Sequence, residues 1–270
     1  MTGPPRTAPP LARRLLAEFL GTALLVTVVV GSGIAAQQLS PTDTGLQLLE
    51  NSTATVFGLA VLIVMLGPIS GAHFNPVVSA ADWLLGRRRG TGMTGAAVGA
   101  YALAQIAGGI AGAVLANVMF DLSAFQLSTK ERITAGHVVG EVVATAGLIL
   151  LIFALARTGR AALSAAAVGA YIGAAYWFTS STSFANPAVT IGRIFSDTFA
   201  GIAPSSAPLF VAAQCVGGLI GLALVVVLYP DATATADNAV VPHGARPARQ
   251  SADPAHPGDP DPRRDLPGSG

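Results

Sequence analysis

The sequence predicts an all-α membrane protein: six transmembrane helices plus two re-entrant half-helices, set out as two inverted halves. Three observations predict it. Of the 270 residues, 52% are hydrophobic and 11% charged, with a mean hydropathy of +0.60, a balance that water-soluble domains do not reach. Charges and Pro/Gly clusters cut the chain into apolar runs of two distinct lengths. The second half of the chain then repeats the first. A formal net charge of +1 favours neither a nucleic acid nor an acidic partner, so no nucleic-acid binding is expected. The single cysteine, Cys215, excludes an internal disulfide and, lying in an apolar run, is expected to be a small buried hydrophobe.

Taken in order, "MTGPPRTAPP" at 1 to 10 is expected to be disordered. The first long run, near 14 to 36, follows "RR" and holds Glu18; it is too long for the apolar core of a secretory signal and is expected to stay as a span. Five more follow near 49 to 69, 96 to 119, 138 to 157, 160 to 178 and 206 to 229. Each has roughly 20 residues, enough to cross about 30 Å of hydrocarbon. The runs at about 75 to 85 and 186 to 195 are half that length, about 15 Å as helix. They cannot span alone. The Pro-, Asp- and Arg-rich tail from 231 to 270 is expected to be disordered, leaving a membrane domain over 11 to 230 with halves at about 11 to 120 and 138 to 230.

The halves match by motif. "AEFLGTALLV" (17 to 26) resembles "GEVVATAGLIL" (140 to 150), and "LAQIAGGIAG" (103 to 112) resembles "AAQCVGGLIG" (212 to 221). Each half reads as a Glu-bearing helix, a second helix, a half-helix and a third helix carrying Gln and glycines. Three spans per half is an odd number, so the second copy enters the membrane inverted and the half-helices dip in from opposite faces.

Both half-helices open on Asn-Pro, in "SGAHFNPVVS" (70 to 79) and "SFANPAVTIGR" (183 to 193). Asn is a strong N-cap and Pro is favoured at the first helical position, so helices begin at Asn75-Pro76 and Asn186-Pro187 in mid-membrane. Backbone can end there only against protein or a water-filled cavity. Two such tips meeting imply a pore. Each cap's oxygen serves its own helix, which leaves the Asn75 and Asn186 NH2 groups to donate to a passing solute, while two positive dipole ends repel cations.

Twelve basic residues fall on the side of the two termini and three, Lys130, Arg132 and Arg193, on the other. This asymmetry predicts cytoplasmic termini in a cell inner (plasma) membrane.

"EFLGT", "SGAHFNP" and "ANPA", within two inverted three-helix halves, resemble the aquaporin and aquaglyceroporin family over about residues 11 to 230. The resemblance implies homotetramers with one pore per subunit, passing water or small uncharged solutes through the lipid bilayer without energy coupling, enzyme activity, cofactor or metal. It makes Asn75, Pro76, Val77, Asn186, Pro187 and Ala188 the pore centre. Gly71, Ala72 and His73 shape the first loop, and Glu18 and Glu141 hold loop backbone groups. Gln105 and Gln214 are expected to brace the loops by hydrogen bonds.

Two departures matter. Val77 replaces the usual Ala behind the first cap and is expected to alter how the tips pack. Val189 stands where the family has an Arg three positions after the second Asn, and Arg193, one turn further on, is expected to lie too deep or to face elsewhere. Carried over from the family by spacing from the two asparagines, the resemblance implies Thr55, Ala174 and Ser183 beside Val189 in a wide, Arg-free, mildly apolar constriction. "GPISGAHFNPVVS", "AAYWFTSSTSFANPAV" and Val189 together resemble the bacterial branch associated with arsenic-resistance operons. Expected solutes are glycerol, urea, water and uncharged metalloid acids such as arsenite or methylarsenicals. The alternatives are a water and glycerol facilitator without an arsenic role, or a proton-coupled secondary transporter using Glu18 and Glu141. No paired acid and base, metal cluster or phosphate loop points to an enzyme.

Overall fold

The computed structural model describes residues 9 to 87 and 92 to 230; the terminal stretches expected to be disordered lie outside the described residues, apart from 9 and 10. Among the described residues, eight α-helices run in the order α1 (Leu11–Leu39), α2 (Thr44–Ser70), α3 (Pro76–Gly86), α4 (Gly95–Met119), α5 (Ala135–Arg157), α6 (Ser164–Phe178), α7 (Pro187–Gly192) and α8 (Ala207–Leu228). Six of them are long and apolar enough to cross a membrane, α6 with the 3-10 turn Ala161–Leu163 at its start.

Polar caps set the ends more than hydrophobicity does. Asp43 accepts from the Leu46 N–H at 2.9 Å and starts α2 five residues before its apolar run, while Thr94 and Thr134 cap α4 and α5 in the same way. At the other end of α2, Gly71 takes φ 90° and turns the chain into the first re-entrant loop. The second half-helix is shorter than its apolar run: α7 has six residues, about 9 Å of rise, and tightens into the 3-10 turn Arg193–Phe195.

The glycine pairs act inside the chain. A Cβ at Gly108 or Gly112 would collide with the Phe19 or Ala23 carbonyl of α1, and one at Gly217 or Gly221 with the Val142 or Ala146 carbonyl of α5. Thus α4 lies backbone to backbone on α1, and α8 on α5, the close approach that small residues allow in membranes. Gly109 and Gly192 let α7 press against α4 equally closely. Both half-helices are wedged between α4 and α8.

The outer surface is apolar, with Phe57, Val61, Val64, Leu103, Leu219 and Val227 all exposed. Cys215 belongs to that surface, which corrects the expectation that it is buried. Gln214, Gly217 and Gly218 fix the inward face of α8, so its neighbour in sequence points out.

The candidate pore

The two Asn-Pro tips meet. Asn75 Oδ1 accepts from the Val77 N–H at 2.9 Å, and Asn186 Oδ1 accepts from the N–H groups of Ala188 at 2.9 Å and Val189 at 3.3 Å. Each amide then reaches across: Asn75 Nδ2 donates to the Ala185 carbonyl at 2.8 Å, and Asn186 Nδ2 to the Phe74 carbonyl at 2.7 Å. Each asparagine thereby holds the residue that precedes the other one. One amide proton per asparagine remains for a solute, one fewer than capping alone would leave.

The carbonyls are aimed by strained backbone. Phe74 and Ala185 have φ 49° and 48°, and Ala72 and Ser183 repeat those values two residues earlier. Left-handed conformations cost non-glycine residues about 1 to 3 kcal/mol each and need external support. Two buried carboxylates supply it. Glu18 accepts from the N–H groups of His73 and Phe74 at 3.0 and 2.7 Å, and Glu141 from those of Phe184 and Ala185 at 2.9 Å each. Left-handed turns present consecutive N–H groups as a concave anion cradle, here filled by the protein's own side chains.

Glutamines complete each cradle. Gln105 Nε2 donates to Glu18 at 2.7 Å and to Ser79 at 3.1 Å; Gln214 Nε2 donates to Glu141 at 2.6 Å and to Thr190 at 2.8 Å. His73 Nδ1 lies 3.0 Å from Ser79 Oγ, with its ring edge-on to Tyr101 at 5.5 Å. The other half repeats that stack with Phe184 on Phe210 at 5.2 Å.

A cavity of about 640 Å³, its solvent-open part included, runs past both asparagines. Apolar side chains of several helices line it, among them Val29, Ile63, Leu148 and Ile172. Thr55, Ser183 and Val189 line it too, but Ala174 does not: that residue is exposed on the outside of α6. Ile172 and Tyr176, four apart on one helix face, take the inner positions, and Ala174 falls on the opposite face. Tyr176 places its hydroxyl 3.2 Å from Thr55 Oγ1. The spacing of Ile172 and Tyr176 was the available signal for this phase.

The expectation for Arg193 is also corrected. Arg193 lines the same cavity as Val189 while only 2% exposed, rather than lying away from it. Side chains on a helix lean toward its N-terminus, so an arginine one turn beyond Val189 reaches back along the pore wall. Val77, by contrast, does not separate the tips: it packs into the space that Gly218 leaves on α8.

Two loops are tied together beside Arg193. Ser128 N–H donates to the Ile194 carbonyl at 2.9 Å, Ala203 N–H to Lys130 at 2.8 Å, and Arg132 Nε to Gly201 at 2.8 Å. Desolvation of the Lys130 ammonium on the Phe199 ring, with the Arg132 and Arg193 charges nearby, holds its pKa down to about 8. Glu131, on the same loop, is held below the usual carboxylate range by hydrogen bonds from Ser205 and Ser206.

A family model described as major intrinsic protein matches residues 6 to 183. The chain belongs to the major intrinsic protein family. It is accordingly a multi-pass membrane channel and not an enzyme. Aquaglyceroporin AqpS of Rhizobium meliloti (strain 1021) is 50% identical over 214 residues, covering 79% of this chain and 89% of that protein. Aquaporin-2 of Homo sapiens is 31% identical over 255 residues, covering 87% and 86%. The crystal structure of the aquaglyceroporin from Plasmodium falciparum superposes with a TM-score of 0.56 over 80% of this chain and 96% of that one, at 20% identity, a likeness of fold alone. The major intrinsic protein fold thus carries, in this chain, a valine three positions after its second asparagine and an arginine one turn beyond.

Proposed function

We propose that this channel passes small uncharged solutes passively: glycerol and water first, and with them uncharged metalloid acids such as arsenite and methylarsenicals. The observation that carries the reading is the pair of opposed helix tips, each asparagine bonded across to the other loop and each keeping one amide proton toward the cavity. A neutral hydroxyl can accept that proton, whereas a cation meets two positive helix ends. Glycerol and arsenous acid share three hydroxyls on a small neutral frame, so a site that accepts one suits the other. Val189 in place of a guanidinium at that position leaves more width for either.

The relative in Rhizobium meliloti carries the name aquaglyceroporin, which supports the glycerol part. The distribution of arginines supports cytoplasmic termini in an inner membrane, and family likeness supports a homotetramer with a pore in each subunit. Proton coupling finds no support, since both buried carboxylates are occupied by loop N–H and glutamine donors. Reconstituted vesicles in a stopped-flow experiment should shrink and reswell with glycerol and should take up arsenite. Water flux without glycerol flux would defeat the solute reading, and glycerol without arsenite its metalloid part.

A further inference from the structure

We propose that Arg193 supplies the fixed cation of the outer pore and contacts the passing solute, from one helical turn beyond the position that Val189 occupies. The proposal deepens the channel reading and rests on it.

Positions three and seven after Asn186 lie about 40° apart around a helix, so Val189 and Arg193 share a face of α7 and its 3-10 extension. The Arg193 side chain is clamped there. Its Nε donates to the Ala200 carbonyl, and its guanidinium carbon sits 3.4 Å from the centre of the Phe184 ring. Ile202 N–H donates to the Arg193 carbonyl at 3.3 Å. Arg132 packs over the same Phe184 ring at 5.3 Å and ties down the Phe199 and Gly201 carbonyls that flank Ala200. The phenylalanine that replaces a histidine in the second loop thus becomes the shelf for the guanidinium.

Clamping through Nε and the ring face leaves both Nη groups without a hydrogen bond among the described residues. A buried charge in that condition is costly unless water or a solute meets it. Ser183, which lines the same cavity, also has a buried hydroxyl without a partner. The unmet guanidinium beside the passage suits a neutral solute with an oxygen that accepts from an Nη group, while the buried Ser183 hydroxyl adds a polar spot to the wall behind it. A hydrated cation is repelled at the same point, before it reaches the asparagines.

The test compares wild type with R193Q, R193K and R193H in proteoliposomes, following glycerol and water flux together with proton leak under an imposed potassium diffusion potential. R193Q should raise the leak about tenfold or more while still conducting solute, and R193K, which keeps the charge, should stay tight. R193H should match wild type near pH 5 and leak near pH 8, each compared at the same pH. That comparison is internal to one preparation and decides the matter if R193Q fails to insert. A structural role alone would lower all fluxes together. Equal leak in R193Q and R193K, or an R193H leak that ignores pH, overturns the proposal. Wild-type vesicles that pass neither glycerol nor water overturn the channel reading and this inference with it.

Discussion

Asn75 and Asn186 each hold their own helix with Oδ1, hold the opposite loop with one amide proton, and leave the other proton to the cavity. The loops they hold depend in turn on Glu18 and Glu141, and the two carboxylates are not equally loaded. Glu18 accepts from Ser70 Oγ at 2.6 Å as well as from His73, Phe74 and Gln105, while Glu141 accepts from Phe184, Ala185 and Gln214. An amide in either place turns an NH2 toward N–H donors and strands at least one of them, at about 1 to 3 kcal/mol. We expect E18Q to lower the thermal unfolding midpoint in detergent more than E141Q does. Equal losses would mean that the Ser70 bond contributes nothing. A second expectation concerns Val189, which is buried and faces the pore beside Arg193. V189R sets two guanidinium groups at successive turns of one wall, so glycerol flux should drop by about tenfold with water flux largely kept. The Asn-Pro caps were legible because they are local chemistry. The cross-bonds were not, because their acceptors are backbone carbonyls, which no sequence spells out.

Among the elements, the glycines separate two situations that look alike in sequence. Gly112 faces the Ala23 carbonyl, which is backbone and cannot yield, whereas nothing lies within 4 Å of a Cβ built on Gly99 of the same helix. G112A should therefore drive α1 and α4 apart and cut the yield of folded protein, while G99A should be neutral or gain up to about 1 kcal/mol from helix propensity. The contact between α3 and α8 offers a sharper case. A Cβ on Gly218 collides with Cγ1 of Val77, a β-branched side chain with little freedom to turn aside. G218A alone should destabilise the protein, and V77A should rescue it, with a coupling of about 1 kcal/mol or more in a double-mutant cycle. Additive losses would show that the two residues do not share that space. Glycines four apart, as at Gly108 and Gly112, are small enough to permit a close helix contact. Which backbone they approach is a property of the packed bundle.

For the molecule as a whole, the two halves supply the same parts to one passage: a carboxylate under each loop, a glutamine beside it, an asparagine at each tip. Nothing in that symmetry stores or couples energy. Collapsing the proton gradient across vesicles should leave glycerol flux unchanged, and a fall to background on addition of an uncoupler would revive a coupled carrier. The halves differ in the ring that braces each loop, since His73 on Tyr101 in one becomes Phe184 on Phe210 in the other, with Arg193 laid over that phenylalanine. By itself the sequence determined the solvent, the six spans, the two half-helices and their inverted relation, because hydrophobic run length, Asn-Pro caps and repeat order are written along one dimension. Only the tertiary structure decided that Tyr176 and not Ala174 enters the passage, that Cys215 faces outward, and that Arg193 reaches back to the pore. Those outcomes depend on the rotational phase of each helix against its neighbours and on how far a long side chain leans, and both are fixed when the helices pack.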